Sequence, residues 1–176
     1  MAIMTLAAAK KQLNIDASNT DDDLELQTYM DAVTGALEEY KHEVIEQRTF
    51  TEDIRVTAAG SFRLFNAPVV SLTSVVAADG SQTWNVANLR AAPSGLVRVL
   101  SGVAVTGLVT VTYVAGPAVI PANYQLAGLI VLQHLWQTQR GVYGTVPGGG
   151  EIVVPAGFAL PNRAMELLGK PTPVVA

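Results

Sequence analysis

The chain has 176 residues, of which 49% are apolar and 15% are charged, and it contains no cysteine. This length and apolar content suffice for a sizeable core and exclude a largely disordered chain. The lack of cysteine excludes disulfides, thiolate zinc sites and cysteine nucleophiles. We therefore expect a fold held by packing alone, to which subunit association can add stability.

The net charge of −4 is distributed unevenly along the chain. Residues 1–55 hold 12 acidic and five basic side chains, whereas residues 56–176 hold three acidic and six basic ones. Such polarity suits a subunit that meets other surfaces in a fixed orientation. An acidic helical face beside a neutral β region gives the same distribution, so both interpretations stay open.

The sequence predicts a soluble, intracellular protein. No run of 18 uncharged apolar residues is present, so a membrane-spanning helix is not expected. The short apolar stretch at the N-terminus precedes Lys10 and Lys11, which is the wrong order for a secretory signal.

The first 46 residues predict two helices. Thr5 is the expected N-cap of the first, and Lys10 and Lys11 near its end complement the helix dipole. Thr20 is the expected N-cap of the second, because three aspartates follow where the dipole favours carboxylates. The second helix should dock by one apolar stripe formed by Leu26, Met30, Val33, Leu37, Tyr40 and Val44.

From about residue 47 the pattern predicts short strands, because charges become rare and β-branched residues frequent. Asp79-Gly80 indicates a tight turn, and Ala67-Pro68 an extended corner. The predicted strands cover residues 48–56, 61–65, 69–77, 83–86, 95–100 and 108–114.

Residues 121–140 predict a helix of about five turns with Pro121 in its first position. Its first half is apolar almost all the way round, so we expect it to be packed on several sides. The glycine-rich residues 141–157 follow as a loop that is functional or ordered only on binding. A last short helix begins at Pro161 or Asn162 and ends at Gly169, before a free tail at 172–176.

No stretch has the spacing of a catalytic or ligand-binding site. His42 and His134 are the only histidines, and they lie in different predicted helices. The acidic residues at 21–25 are explained by a helix start, and no Lys-Ser/Thr of a phosphate loop follows the glycines at 148–150. No Gly-x-Ser-x-Gly elbow or basic stripe for nucleic acid is present. We expect no enzymatic activity, catalytic residue, cofactor or metal.

Six stretches together point to a family. They are residues 5–15, 21–24, 66–75 with the following Asp79-Gly80, 111–116, 120–123 with the helix through Trp136 and Arg140, and 160–168. In this order they resemble the head-tail connector (adaptor) proteins of tailed bacteriophages, over nearly the whole chain. Residues 144–155 depart from the family, in which that stretch is usually shorter and more polar.

The resemblance implies a non-enzymatic virion protein at the head-tail junction, made in the cytoplasm of the bacterial host. It implies a homo-oligomeric ring of twelve subunits that binds the portal protein and offers a surface to the next neck or tail protein. Genomic DNA would pass through the ring without specific contact, and no membrane would be involved.

The expected fold is α+β: a helical bundle made from the N-terminal and C-terminal helices, with an inserted antiparallel β region. We expect a single connector domain over residues 1–176, with helices in 1–46, the β region in 47–117, and the central helix, loop and last helix in 118–176. Trp136 and Arg140 share one helical turn and have the character of an interface anchor, although an aromatic residue on a central helix more often belongs to the core. The interface candidates are Leu129, Leu132, Trp136, Arg140, Tyr143, Ile152, Val153, Val154 and Phe158.

Two other functions fit parts of the sequence. A different neck ring, such as a stopper or tail terminator, would usually be β-dominated and lack the two N-terminal helices. A carbohydrate- or peptide-binding β module would need exposed aromatic residues on its strands, and the β region holds only Phe50, Phe62, Phe65, Trp84 and Tyr113.

Overall fold

The computed structural model describes residues 2–57, 61–140 and 160–172. The chain forms two compact units: a helical unit of Ala2–His42 with Ile120–Ala176, and a β unit of Glu43–Val119. The helices are α1 (Leu6–Leu13), α2 (Asp23–Lys41), α3 (Ala122–Arg140) and α4 (Asn162–Leu168). The strands are β1 (Arg48–Val56), β2 (Ser61–Arg63), β3 (Val69–Ala77), β4 (Thr83–Trp84), β5 (Leu89–Ala91), β6 (Leu96–Val99) and β7 (Gly107–Ala115). The predicted α+β class with an inserted antiparallel β region is confirmed.

The start of α1 agrees with its prediction, whereas the start of α2 does not. The Thr5 hydroxyl accepts the Ala8 N–H at 3.2 Å, as an N-cap should. The predicted N-cap at Thr20 was wrong, because α2 begins at Asp23. The backbone at Thr20 instead forms a turn, in which its carbonyl accepts the Asp23 N–H at 3.2 Å and Asn19 Oδ1 accepts the Asp21 N–H at 2.9 Å.

The core of the helical unit forms between α3 and the other three helices. The predicted stripe of α2 is buried at Leu26, Met30, Val33 and Leu37, whereas Tyr40 is half-buried. Val44 lies beyond the end of α2 and belongs to the core of the β unit. α3 packs against α1, α2 and α4, so the predicted packing on several sides is confirmed. Its first helical residue is Ala122, one residue after the predicted start.

The β unit contains two antiparallel sheets. One has the order β1-β7-β3-β4 and the other the order β2-β6-β5. Predicted and observed bounds agree fully for β1 and β3, and the other four predicted strands differ at their ends. β5 was missed, because it has only three residues and directly follows a short 3-10 helix, Val86–Asn88. The predicted corner at Ala67-Pro68 contains a cis peptide bond.

Branched aliphatic residues dominate the core of the β unit. Val75, Val97, Val105, Val109 and Val111 are fully buried there, and Tyr113 is the one fully buried aromatic residue among those described. Within the described part of the chain, no helix has the length and hydropathy needed to cross a bilayer.

Candidate assembly surfaces

The predicted interface residues of α3 differ in burial. Leu132 is fully buried in the helical unit, whereas Leu129 and Trp136 are half-buried. Trp136 meets the Tyr29 ring edge-on, with 5.8 Å between ring centroids, and this contact fixes the indole against α2. Leu126 was not among the predicted residues, yet its side chain is 45% exposed on the same helix.

The side chains of the remaining predicted interface residues lie outside the described part of the structure. Arg140 ends α3, but its side chain is outside the described part of the structure. The others fall outside the described residues altogether: Tyr143, Ile152, Val153, Val154 and Phe158. The predicted loop at 141–157 and the tail after Thr172 lie outside them as well.

Two buried lysines tie loops to the ends of helices in the helical unit. Lys10 Nζ lies 2.6 Å from an Asp23 carboxylate oxygen and donates to the Asn19 carbonyl at 2.6 Å, which fastens the α1–α2 connection. Lys41 Nζ donates to the carbonyls of Lys170 at 2.7 Å and Leu168 at 3.1 Å. Lys10 was predicted only to complement the α1 dipole, and neither lysine was predicted to be buried.

Tyr113 is the centre of a polar network inside the β unit. Its hydroxyl accepts the Asn66 N–H at 3.1 Å and the Asn66 side-chain amide at 3.0 Å, and its ring stacks on Phe50 with 5.9 Å between centroids. Burial raises the pKa of Tyr113, and the neighbouring Glu52 carboxylate raises it further, whereas the Asn66 hydrogen bonds act in the opposite direction. The neutral phenol is therefore a structural link between β7 and the 66–68 corner.

A half-open cleft of about 250 Å³ lies at the β4 end of the β unit. It is lined by Gln82, Thr83, Trp84, Asn85, Asn88, Leu89, Ser101, Gly102 and Val103. None of these side chains is an acid, a base or a histidine, so the cleft has no group for proton transfer. Among the described residues, no group of three or more His, Cys, Asp or Glu side chains is arranged to hold a metal ion.

Several large apolar side chains are instead left in contact with solvent. In the helical unit these are Leu24, which is 84% exposed, and Leu126. In the β unit they are Phe65, Val70, Leu100, Val103, Leu108 and Val119. The described residues therefore include exposed apolar side chains but no pocket with reactive groups.

The sequence profile of a family described as "Head completion protein" matches residues 2–170. The chain belongs to the head completion protein family. This assignment confirms the resemblance to phage head-tail connectors and the expected structural, non-enzymatic class. Comparison with curated protein sequences gives no match.

Solved structures with a similar fold come from gene transfer agent (GTA) particles. A chain in the "Neck of empty GTA particle computed with C6 symmetry" has a TM-score of 0.66 and 19% identity, covering 98% of this chain and 92% of that one. A chain in the "Virion of native gene transfer agent (GTA) particle" has a TM-score of 0.65 at the same identity and coverage. A chain in the "Neck of native GTA particle computed with C12 symmetry" has a TM-score of 0.62 and 19% identity, covering 97% of this chain and 90% of that one. At this identity the likeness shows that the head completion family member shares their fold.

Proposed function

We propose that this head completion protein forms a homo-oligomeric ring of twelve subunits in the neck of a tailed phage or phage-like particle. The ring binds the portal protein at the head vertex and presents its other side to the next neck or tail protein. It extends the DNA conduit, through which genomic DNA passes without sequence-specific contact. Each subunit acts as one connector domain, with residues 1–46, 47–117 and 118–176 as its three parts.

The family match over residues 2–170 is the observation that carries this proposal. Further support comes from the two GTA neck structures, which have six-fold and twelve-fold symmetry and contain a chain of the same fold. Closed rings form when one surface of a subunit meets a different surface of the next and the rotation closes. A C12 neck accommodates twelve such subunits.

We assign the subunit contacts first to the solvent-facing part of α3. Leu126 is exposed there, and Leu129 and Trp136 are half-buried, so each has apolar surface that a neighbour can cover. Leu132 serves the subunit's own core, because it is fully buried. The remaining predicted contacts are proposed to complete the interface: Arg140, Tyr143, Ile152, Val153, Val154 and Phe158.

Specific observations disfavour the two alternatives. α1 and α2 are present, whereas a stopper or tail terminator would usually lack them. The β module hypothesis needs exposed aromatic residues, and among the five candidates only Phe65 is exposed, at 79%.

The direct test is the mass of the full chain in solution, alone and with the portal protein of the same particle. Mass photometry and negative-stain imaging should show a ring, or a ring completed on the portal. A chain that stays monomeric under both conditions and never binds portal would contradict the proposed function.

A further inference from the structure

One face of the sheet β2-β6-β5 carries three arginines. Arg90 lies directly opposite Arg98 in the register, and Arg98 also lies opposite Ser61, two residues before Arg63. Because side chains alternate along a strand, the three arginines share one face, which we call the Arg face. All three are exposed, whereas Phe62, Leu89 and Val97 on the opposite side are buried in the core.

The positive charge of the Arg face is not balanced on its own sheet, although the β unit as a whole holds five acidic and five basic side chains. The three strands hold no acidic residue, and Asp79 is the only one anywhere between residues 54 and 150. Within the described part of the chain, none of the three arginines makes an ion pair or a side-chain hydrogen bond. Like charges directly opposite in a sheet are destabilising, so the pairing of Arg90 with Arg98 costs stability that an anionic partner would offset.

The helical unit has a surface of the opposite sign. The side of α2 opposite its buried stripe carries Leu24, Thr28, Asp31, Gly35 and Glu39, all exposed, and we call it the outer face of α2. Gly35 lies in mid-helix, where glycine costs about 1 kcal/mol relative to alanine, and a Cβ there would meet nothing within 4 Å. The missing side chain at Gly35 therefore makes room for no other group of the described chain, but it lets a partner approach the helix closely.

The two faces also match in their apolar margins. Leu24 begins the outer face of α2 and is 84% exposed, and Leu100 directly follows β6 beside the Arg face and is 62% exposed. A cationic centre with a neighbouring leucine on one surface thus corresponds to an acidic centre with a neighbouring leucine on the other. The two surfaces differ in shape and sign, as head-to-tail contacts require.

We propose that the Arg face of one protomer binds the outer face of α2 of a second copy of this chain, head to tail. The Arg face then meets the carboxylates of Asp31 and Glu39 of the neighbour, and the two leucines cover each other at the margin. This inference rests on the proposed ring and names one of its subunit contacts.

Charge reversal tests the contact. Arg90→Glu with Arg98→Glu and, separately, Asp31→Lys with Glu39→Lys should each abolish the ring in sedimentation velocity, while circular dichroism shows folded protein. An equal mixture of the two variants should restore even-numbered rings, because each reversed face then meets its complement in an alternating order. The matched control is Arg55→Glu with Arg163→Glu, which reverses two exposed arginines outside both faces and should leave the ring intact.

The outcomes separate this contact from the proposed function. If both charge-reversed variants still form the same ring as the wild type, the proposed contact is wrong but the proposed ring is unaffected. If neither variant assembles alone and their mixture forms no ring, the proposed contact is likewise overturned, while the wild-type ring still supports the proposed function. Loss of duplex DNA binding on reversal of the Arg face, with rings unchanged, would assign that face to DNA phosphates instead. A wild type that forms no ring alone or on the portal would contradict the proposed function and the contact together.

Discussion

At the scale of single residues, Gly116 shows how closely the backbone is packed where β7 ends. Its φ is +102°, and a Cβ there would lie 2.7 Å from Gln47 Cα and 2.8 Å from Gln47 N, which are backbone atoms that cannot rotate away. Glycine is therefore required twice at this position, by conformation and by space.

Gly116→Ala should lower the free energy of unfolding by about 2–4 kcal/mol, since it combines an unfavourable φ with a backbone overlap. Gly80→Ala is the matched control, because Gly80 has φ +72° but no atom within 4 Å of the added Cβ. Its cost should be limited to the conformational part, about 1–2 kcal/mol. Urea denaturation measures both, and equal losses would show that the overlap at Gln47 is relieved without cost.

Tyr113 predicts a specific response to alkaline pH. Its pKa in the folded protein is raised above the ordinary 10.0, chiefly by burial. The folded state then holds the phenol proton more tightly than the unfolded state, so this stabilisation is complete below pH 10 and is lost as the pH rises through the folded value.

Tyr113→Phe should destabilise the protein by about 1–3 kcal/mol at neutral pH, because both Asn66 donors lose their acceptor. The stability difference between the wild type and the variant should shrink above pH 10, and thermal melts over a pH series measure it. If the stability difference between the two proteins stays constant up to the highest pH at which they fold, the raised pKa of Tyr113 would be contradicted.

At the scale of elements, Lys41 links the end of α2 to the end of α4. Its ammonium donates to the Leu168 carbonyl at the end of α4 and to the Lys170 carbonyl beyond it. The centroid of the Tyr124 ring lies 5.7 Å from the same nitrogen. The Thr172 N–H also donates to the Lys41 carbonyl at 2.9 Å. Both the side chain and the backbone of Lys41 therefore bind the segment that follows α4.

Lys41→Met should keep the volume of the side chain but leave these carbonyls without their donor, at a cost of about 1–3 kcal/mol. Hydrogen exchange should become faster in α4, with α1 unchanged. Lys11→Met removes an exposed lysine of α1 and serves as the control. Unchanged exchange in α4 would show that the Lys41 hydrogen bonds do not hold this helix.

The elements also show how far sequence reasoning reached. β1 and β3 were predicted with their full bounds because long β-branched runs are interrupted at clear turn signals. The start of α2 was misplaced because the residues before it form a turn, in which Asn19 Oδ1 accepts the Asp21 N–H and the Thr20 carbonyl accepts the Asp23 N–H. The Arg face was not recognised, since only the sheet register brings its three residues together.

At the scale of the whole molecule, α3 divides its apolar residues between the subunit's core and its surface. Periodicity predicted packing on several sides, but it could not identify which side remains exposed, because nearly every position in the first half is apolar. The structure distinguishes Leu132, which is fully buried, from Leu126, which is 45% exposed.

Leu132→Asp should prevent stable folding, because a buried carboxylate without a partner costs several kcal/mol. Leu126→Asp should fold normally but fail to assemble into a ring. Leu108→Asp, at a 44% exposed position of the β unit, is the control that should retain both properties. Circular dichroism measures folding and sedimentation velocity measures assembly. A Leu126→Asp protein that forms normal rings would remove α3 from the subunit interface.

The pairing of β1 with β7 brings the two ends of the β unit together. The polypeptide enters the β unit through β1 and leaves it through β7, and Arg48 lies directly opposite Ala115. Partners in an antiparallel pair are separated by only about 5 Å, so the β unit begins and ends at neighbouring positions. This is the arrangement of an insertion, in which a segment with adjacent ends interrupts a helical sequence at a single place.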